Sequence, residues 1–580
     1  MTRELQPDAG APAGLSKVEQ LKRASEGLGG MLIDEIQDLS TDHISEEAYQ
    51  LLKFHGSYQQ DDRDQRKERK QQQRDRAWQF MVRTKCPGGR MTAEQYLVAD
   101  ELADTYGNHT LRVTTRQGLQ FHGIGKAQLK PLIRALNERL VTTYGACGDV
   151  SRNTMTCPVA DLLPGYGLQQ ANGQHTGFDY QALAKQVSDR LLPDSTAYYE
   201  LWLDGEQILA DGTHVRVQAS RNESFYGPQY LPRKHKIAIG MPHDNCVDLF
   251  THDLALETVI DDQGVLQGFN LVAGGGLGFT NNKPETFARL GDRIGFLPPD
   301  QALVVLETAT AIYRDVGDRS NRRHARLKYV LADRGVAWFQ AEMARRLGSP
   351  LQPPAEVSAY AVEDHLGWQQ QGDGRWMVGI WVEHGRIKDH EQHLLKSGLR
   401  AIVDQVRPEV RLTAHQNLVL THIDDTDRPQ VEVMIARYGL STGEPSLSML
   451  RRYAMACPAL PTCGLAVAES ERFLPDVVSQ LEALGHGDDR VWIRMSGCPN
   501  SCSRPTTAEI GIIGRSLDLY NIYVGGSFAG TRLAQIYQTD VRGQDLAPLL
   551  SAWFKRWKQE QIGDESFGDW SYRVLLSARE

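Results

Sequence analysis

Two hydrophobic rhythms run through this chain. Leu132, Ile133, Leu136 and Leu140 recur at three- and four-residue steps, which predicts a helix packed on one face. Val491-Trp-Ile-Arg-Met495 carries β-formers at alternate positions and stops at Ser496-Gly497, which predicts a short strand ending in a turn. A stretch rich in Ala, Val and Glu follows Cys463 and predicts a helix that Pro475 breaks or kinks. Such a helix would turn its N-terminal amides towards negative charge near Cys463. Gln59 to Arg76 is dense in charge and predicts a solvated segment or exposed helix, an arm before the first folded module. The chain therefore reads as mixed α and β.

Self-comparison adds a duplication. Arg112-Val-Thr-Thr-Arg-Gln-Gly-Leu119 parallels Arg411-Leu-Thr-Ala-His-Gln-Asn-Leu418, and Phe269–Thr280 parallels Tyr520–Thr531. Between them, Lys236–Cys246 is a weaker match to Trp492–Cys502. Three collinear matches imply two halves related by an approximate two-fold. Only the second half keeps a full cysteine set; the first has Cys246 where the second has Cys502, and no second cluster is expected.

Bulk properties exclude some classes. A chain of 580 residues exceeds one core and implies several domains. No run of eighteen apolar residues is present, so no membrane span is expected. Residues 1–20 lack an apolar segment and do not read as a secretory signal. Eight cysteines at this length point to reduced thiols and a cytoplasmic setting. A net charge of −9 disfavours nonspecific nucleic-acid binding.

The cysteines carry the chemistry. Cys457 and Cys463 are spaced C-x5-C, and Cys498 and Cys502 are spaced C-x3-C. Four thiolates suit a soft metal centre, an iron–sulfur cluster or zinc. The x5 gap is wide for a structural zinc knuckle. Cationic residues in turn or strand contexts supply a second theme: Arg83, Arg116, Arg152, and the crowded Arg233, Lys234 and Lys236. A single such cation is usually a surface residue. If they converge, they make an anion pocket. The glycine runs Gly274–Gly278 and Gly525–Gly530 read as paired loops that let backbone approach a bulky polyanion. Cys86, Cys147 and Cys157 read as packing residues or oxidation-sensitive thiols, with packing the default for a free cysteine.

Cys457-Pro-Ala-Leu-Pro-Thr-Cys463 followed by Ser496-Gly-Cys-Pro-Asn-Ser-Cys502 resembles the signature of the assimilatory sulfite and nitrite reductases. Supporting segments are Phe54–Asp64, Thr115–Gly123, Tyr230–Lys236 and Phe567–Trp570, and the likeness is greatest to the haemoprotein (beta) subunit of the NADPH-dependent sulfite reductases. The resemblance implies an α+β, internally duplicated, pseudo-two-fold architecture. Its expected units are an arm over 1–76, ferredoxin-like half-domains over 77–145 and 351–435, a sirohaem-site domain without a cluster over 146–350, and a sirohaem/[4Fe–4S] domain over 436–580. It implies that Cys457, Cys463, Cys498 and Cys502 hold a [4Fe–4S] cluster and that Cys502 also bridges to the sirohaem iron. Arg83, Arg152, Lys234 and Lys236 match the substrate pocket of the family. Arg116, Gln120, Arg233 and Asn500 match positions near the sirohaem.

The implied activity is six-electron reduction of sulfite to sulfide in sulfate assimilation and cysteine biosynthesis. No flavin or nicotinamide fingerprint stands out, so electrons are expected from a second protein. That donor is a flavoprotein alpha subunit carrying FAD and FMN and using NADPH, or a ferredoxin. Nitrite reduction on the same cofactors is the near alternative. A non-catalytic iron–sulfur electron carrier is the alternative of another class, although such a carrier has no need of an anion pocket.

Overall fold

The computed structural model describes residues 14–164, 169–171, 174–391, 393–443 and 445–579. The reading of the first thirteen residues as free of a secretory signal lies outside the described residues.

Four five-stranded sheets organise the chain in two matching pairs. The first runs, in spatial order, Ser57–Asp61, Trp78–Arg83, Leu119–Ile124, Leu111–Val113 and Arg386–Ile387. Its counterpart runs Gly367–Gln370, Trp376–Ile380, Leu418–Ile423, Glu409–Leu412 and Arg90–Met91. Each sheet thus takes its last strand from the other half, antiparallel to Leu111–Val113 in one case and to Glu409–Leu412 in the other. This exchange ties the halves together through backbone hydrogen bonds, which accept little change in register.

The second pair is equally matched. Met155–Thr156, Ile237–Ile239, Leu254–Ile260, Leu266–Ala273 and Asp292–Leu297 lie side by side, as do Ala454–Ala456, Ile493–Ser496, Ile510–Ser516, Leu519–Val524 and Gln535–Arg542. In both sheets the first three strands are parallel and the others antiparallel. The topology confirms the duplication expected from the sequence matches. One apolar core is continuous through the half-domain sheets and the first large sheet, while another is built from residues between Leu450 and Leu575. Among the described residues, no helix is long and apolar enough to cross a membrane.

Three local expectations need correction. The helix holding Leu132, Ile133 and Leu136 ends at Asn137, and its fourth apolar contact is Leu129. Leu140 lies past the end at φ 61° and is 46% exposed. The stretch after Cys463 forms no helix before Leu474; the amides of Val467 and Ala468 donate to the Gly497 carbonyl instead of to helical partners. Pro475 stands in the first turn of the helix Leu474–Leu481, where its missing N–H costs nothing, so it starts a helix rather than breaking one. The amides near Cys463 therefore come from a loop and not from a helix N-terminus: those of Leu465 and Ala466 act on its thiol. The charged stretch 59–76 is divided: its start belongs to the edge strand Ser57–Asp61, paired with Trp78–Arg83, and Arg66–Gln71 is a helix with no buried residue.

Candidate redox-cofactor site

The cysteine loops leave one edge of one sheet. Ala454–Ala456 and Ile493–Ser496 are parallel neighbours, so the loops that follow them, bearing Cys457–Cys463 and Cys498–Cys502, start side by side. The backbone continues the pairing: Cys457 N–H donates to Met495 O at 3.1 Å, and Gly497 N–H donates to Cys457 Sγ at 3.3 Å. Gly497 has no room for a side chain, since a Cβ there would sit 2.6 Å from that of Ala459 and 2.5 Å from the Ala468 carbonyl. Glycine between strand and loop therefore lets the two cysteine loops approach.

The loops are also held from outside. Arg63 of the N-terminal segment donates to the carbonyls of Cys463 and Ala466 at 3.2 and 3.0 Å. Thr115 Oγ1 donates to Cys502 O at 2.9 Å, and Arg504 returns a hydrogen bond to Thr115 O at 3.0 Å. Residue 502 is thus fixed by the first half of the chain.

A cavity of about 700 Å³ opens over these loops. Cys457, Cys463, Cys498, Cys502 and Asn500 form one side, and Arg83, Gln120, Arg152, Arg233 and Lys234 face it. A smaller cavity of about 20 Å³ shares Lys234, Asn500 and Cys502 with it and adds Arg116 and Lys236. Every site residue singled out from the sequence therefore lines one of two adjoining cavities that meet at Cys502 and Lys234.

Several polar groups here lack protein partners. Nε of Arg83, Nε of Arg116 and Oε1 of Gln120 are buried without a hydrogen bond. Arg83 reaches Cys147 Sγ at 3.2 Å, and Arg152 donates to Gly148 O at 3.0 and 3.1 Å, so neither guanidinium meets a carboxylate there. The carboxylates nearby are engaged elsewhere: Asp149 with Arg322 at 2.7 Å, and Asp253 with Arg326 at 2.8 Å. Burial, reinforced by Arg326, Arg152 and Arg233, lowers the Lys234 ammonium to about 7, and burial with Lys234 holds Lys236 well below its usual value. Such a concentration of unpaired positive charge is costly unless an anion fills the space.

The thiols show the opposite imbalance. Burial and the neighbouring Cys502 push Cys457 and Cys498 up to about 12, and burial with Cys457 pushes Cys463 up to about 11. At these values the three thiols stay protonated near neutral pH, and a bound metal centre would favour their thiolate forms. A polycarboxylate macrocycle and a four-thiolate cluster match the donors present: cations without counter-ions on one side, and thiols without a base on the other.

Some contributors escaped the sequence reading. Lys53, Tyr58, His122, Arg112 and Arg322 line the large cavity, and Arg326, His252 and Arg504 the small one. The basic run Arg319-Ser-Asn-Arg-Arg-His-Ala-Arg326 was the available signal for two of these. The glycine runs diverge. Leu277 and Gly278 line the smaller cavity beside Asn500, whereas none of residues 525–530 lines either cavity, and a Cβ on Gly526 would meet the Ala508 carbonyl at 2.1 Å.

Comparison with known proteins agrees with this geometry. The family model for the nitrite and sulphite reductase 4Fe-4S domain matches residues 183–351, and that for the nitrite/sulfite reductase ferredoxin-like half domain matches 71–139 and 369–437. The 4Fe-4S match falls on the half that lacks the four-cysteine set, a consequence of the duplication. A sulfite reductase [ferredoxin] of Synechococcus elongatus is 43% identical, covering 98% of this chain and 91% of the relative. Sulfite reductase [NADPH] hemoprotein beta-components of a Methylobacterium species and of Myxococcus xanthus are 42% and 41% identical, covering 99% and 97% of this chain and 92% and 97% of theirs. The structure of Mycobacterium tuberculosis NirA protein shares the fold, with a TM-score of 0.78 at 23% identity over 99% of each chain. The chain belongs to the sulfite and nitrite reductase family, the enzymes that carry sirohaem and a [4Fe–4S] cluster.

Proposed function

We propose that the chain is the haemoprotein of an assimilatory sulfite reductase, reducing sulfite to sulfide with six electrons received from a second protein. The observation that carries this reading is the unpaired cation set facing the four-cysteine wall. Cys457, Cys463, Cys498 and Cys502 would hold the cluster, and Cys502 would also serve the haem iron. Arg116, Arg233, Gln120 and Asn500 would engage the haem periphery. When bound, these cofactors supply electron storage and an iron face for the sulfur atom.

The residues of the chain do the rest. Arg83, Arg152, Lys234 and Lys236 hold the anion and offset charge that builds up during reduction. Lys234 and Lys236 can pass protons to departing oxygen, and an ammonium lowered to about 7 suits that task near neutral pH. A flavoprotein carrying FAD and FMN and using NADPH is the proposed donor. A ferredoxin is the second reading, favoured by the 43% identity to a ferredoxin-type relative.

Steady-state kinetics of the purified holoenzyme tests the function. Sulfite is expected to exceed nitrite in kcat/KM; a wide margin in favour of nitrite overturns the substrate assignment. Turnover with each donor protein separates the two electron sources.

A further inference from the structure

A buried donor cluster lies where the first half meets the segment entering the second half-domain. Sγ of Cys157, Sγ of Cys246, an imidazole nitrogen of His365 and a carboxylate oxygen of Asp244 all lie within 4.8 Å of one another. All four side chains are buried, none more than 5% exposed. Cys246, which the sequence leaves without a cysteine set of its own, thus has three other donor side chains beside it. We propose that Cys157, Asp244, Cys246 and His365 form a mononuclear zinc site.

Donor chemistry comes first. Two thiolates, one imidazole and one carboxylate make a four-donor set with the mixed softness that suits zinc. The spacing fits as well. His365 Nε2 lies 3.4 Å from Cys157 Sγ and 3.4 Å from Asp244 Oδ2. An imidazole and a carboxylate in direct hydrogen bond approach closer than that. A tetrahedron with metal–ligand bonds of about 2.0–2.3 Å has edges of roughly 3.3–3.8 Å, which includes both separations.

The carboxylate is oriented for this role. Asp244 Oδ1 accepts from the amides of Cys246 and Glu363 at 2.9 and 3.1 Å. Oδ2 is buried without a hydrogen bond and faces the other donors. His365 is held at φ 57°, a left-handed conformation that is unfavourable for a non-glycine residue and that needs a reason.

Position in the fold gives an independent argument. Met155–Thr156 and Ile237–Ile239 are parallel neighbours, as Ala454–Ala456 and Ile493–Ser496 are. Cys157-Pro158 follows the first strand just as Cys457-Pro458 follows its counterpart. Asp244 and Cys246 follow the second strand as Cys498 and Cys502 follow theirs. The centre thus occupies the duplicated position of the four-cysteine site. With two thiols in place of four it is too poor in sulfur for a cubane, and it is completed by His365 from the segment entering the second half-domain. A zinc ion there would join the two halves.

Zinc analysis and zinc K-edge absorption of the holoenzyme test this, since the zinc edge is distinct from that of haem and cluster iron. The expected result is one zinc per chain with two sulfur neighbours at about 2.3 Å and two nitrogen or oxygen neighbours at about 2.0–2.1 Å. A Cys157→Ala/Cys246→Ala variant should lose the zinc while keeping haem absorbance. Zinc below a tenth per chain in fully loaded enzyme, a shell without sulfur, a Cys157–Cys246 disulfide, or zinc retained by the double variant overturns the proposal. Should the variant fail to fold, the measurement on the unaltered enzyme still decides.

Discussion

Arg494 and Asp248 meet across the junction of the two halves, with Nη1 2.7 Å from Oδ2 and both side chains 2% exposed. Arg504, two residues beyond Cys502, pairs with the same carboxylate. One first-half aspartate thus neutralises two arginines that flank the second cysteine loop in sequence. Removing it leaves both cations buried and uncompensated. Asp248→Asn is expected to destabilise the fold by about 3–5 kcal/mol, read as a lower denaturation midpoint. An unchanged midpoint would show that water already solvates these guanidinium groups.

Acid stability should depend on Glu471. It lies between Arg386 and Arg112, with contacts of 2.7 and 3.0 Å. Burial alone would raise its carboxyl, but the charges of Arg386 and Arg112 prevail and lower it from 4.5 to about 2. A depressed carboxylate stabilises the fold above its unfolded value and loses that contribution as pH falls. The loss is expected between pH 4.5 and 2 and amounts to roughly 3 kcal/mol at 1.36 kcal/mol per unit. Urea unfolding of wild type and Glu471→Gln across that range measures it; the difference between them should shrink as the pH drops.

Much of this arrangement was legible in the sequence, for reasons that can be named. Cysteine spacing survives any fold, so Cys457, Cys463, Cys498 and Cys502 could be grouped before a structure existed. Internal matches such as Arg112 with Arg411 disclosed the duplication, and the structure gives them a shared purpose. Arg112 donates to the carbonyl of Ala456, just before Cys457, and Arg411 to that of Pro158, just after Cys157. The periodicity of Leu132, Ile133 and Leu136 fixed a helix face but not its end, because Leu140 fits the spacing after the chain has already turned. Composition after Cys463 misled because the amides of Val467 and Ala468 find a partner in Gly497, thirty residues away. Lys53, Arg322 and Arg326 were missed for a similar reason: only tertiary contact separates a cation facing a cavity from one facing water. His365 joins Cys157 and Cys246 from a separation in sequence that no spacing rule covers.

Cys502 lines both cavities and, unlike Cys457, Cys463 and Cys498, is exposed. Its replacement by serine should leave the core intact, because Thr115 and Arg504 hold the loop through backbone groups. Cys502→Ser is expected to lose most haem absorbance and sulfite turnover while its far-ultraviolet circular dichroism stays native. Normal turnover in this variant would refute the bridging role proposed for that thiolate.

Lys234 should impose a pH limit on substrate binding. Its ammonium is lowered to about 7 by burial and by Arg326, Arg152 and Arg233, so it loses its charge as the pH rises through neutrality. An anion bound beside it favours the charged form and shifts that loss upward, but the direction is the same. KM for sulfite is therefore expected to rise on the alkaline side. In Lys234→Arg the charge persists at every pH used, so the rise should flatten, even where kcat falls because guanidinium is a poor proton donor. Comparing the two enzymes at each pH cancels the titration of sulfite itself, which both experience equally. Lys234→Ala should keep its haem and cluster yet lose roughly 10²–10⁴-fold in kcat, the range for removal of a positioned acid. Parallel KM profiles for wild type and Lys234→Arg would place the titrating group elsewhere, and loss of cofactor from Lys234→Ala would make the lysine a structural ligand of the haem.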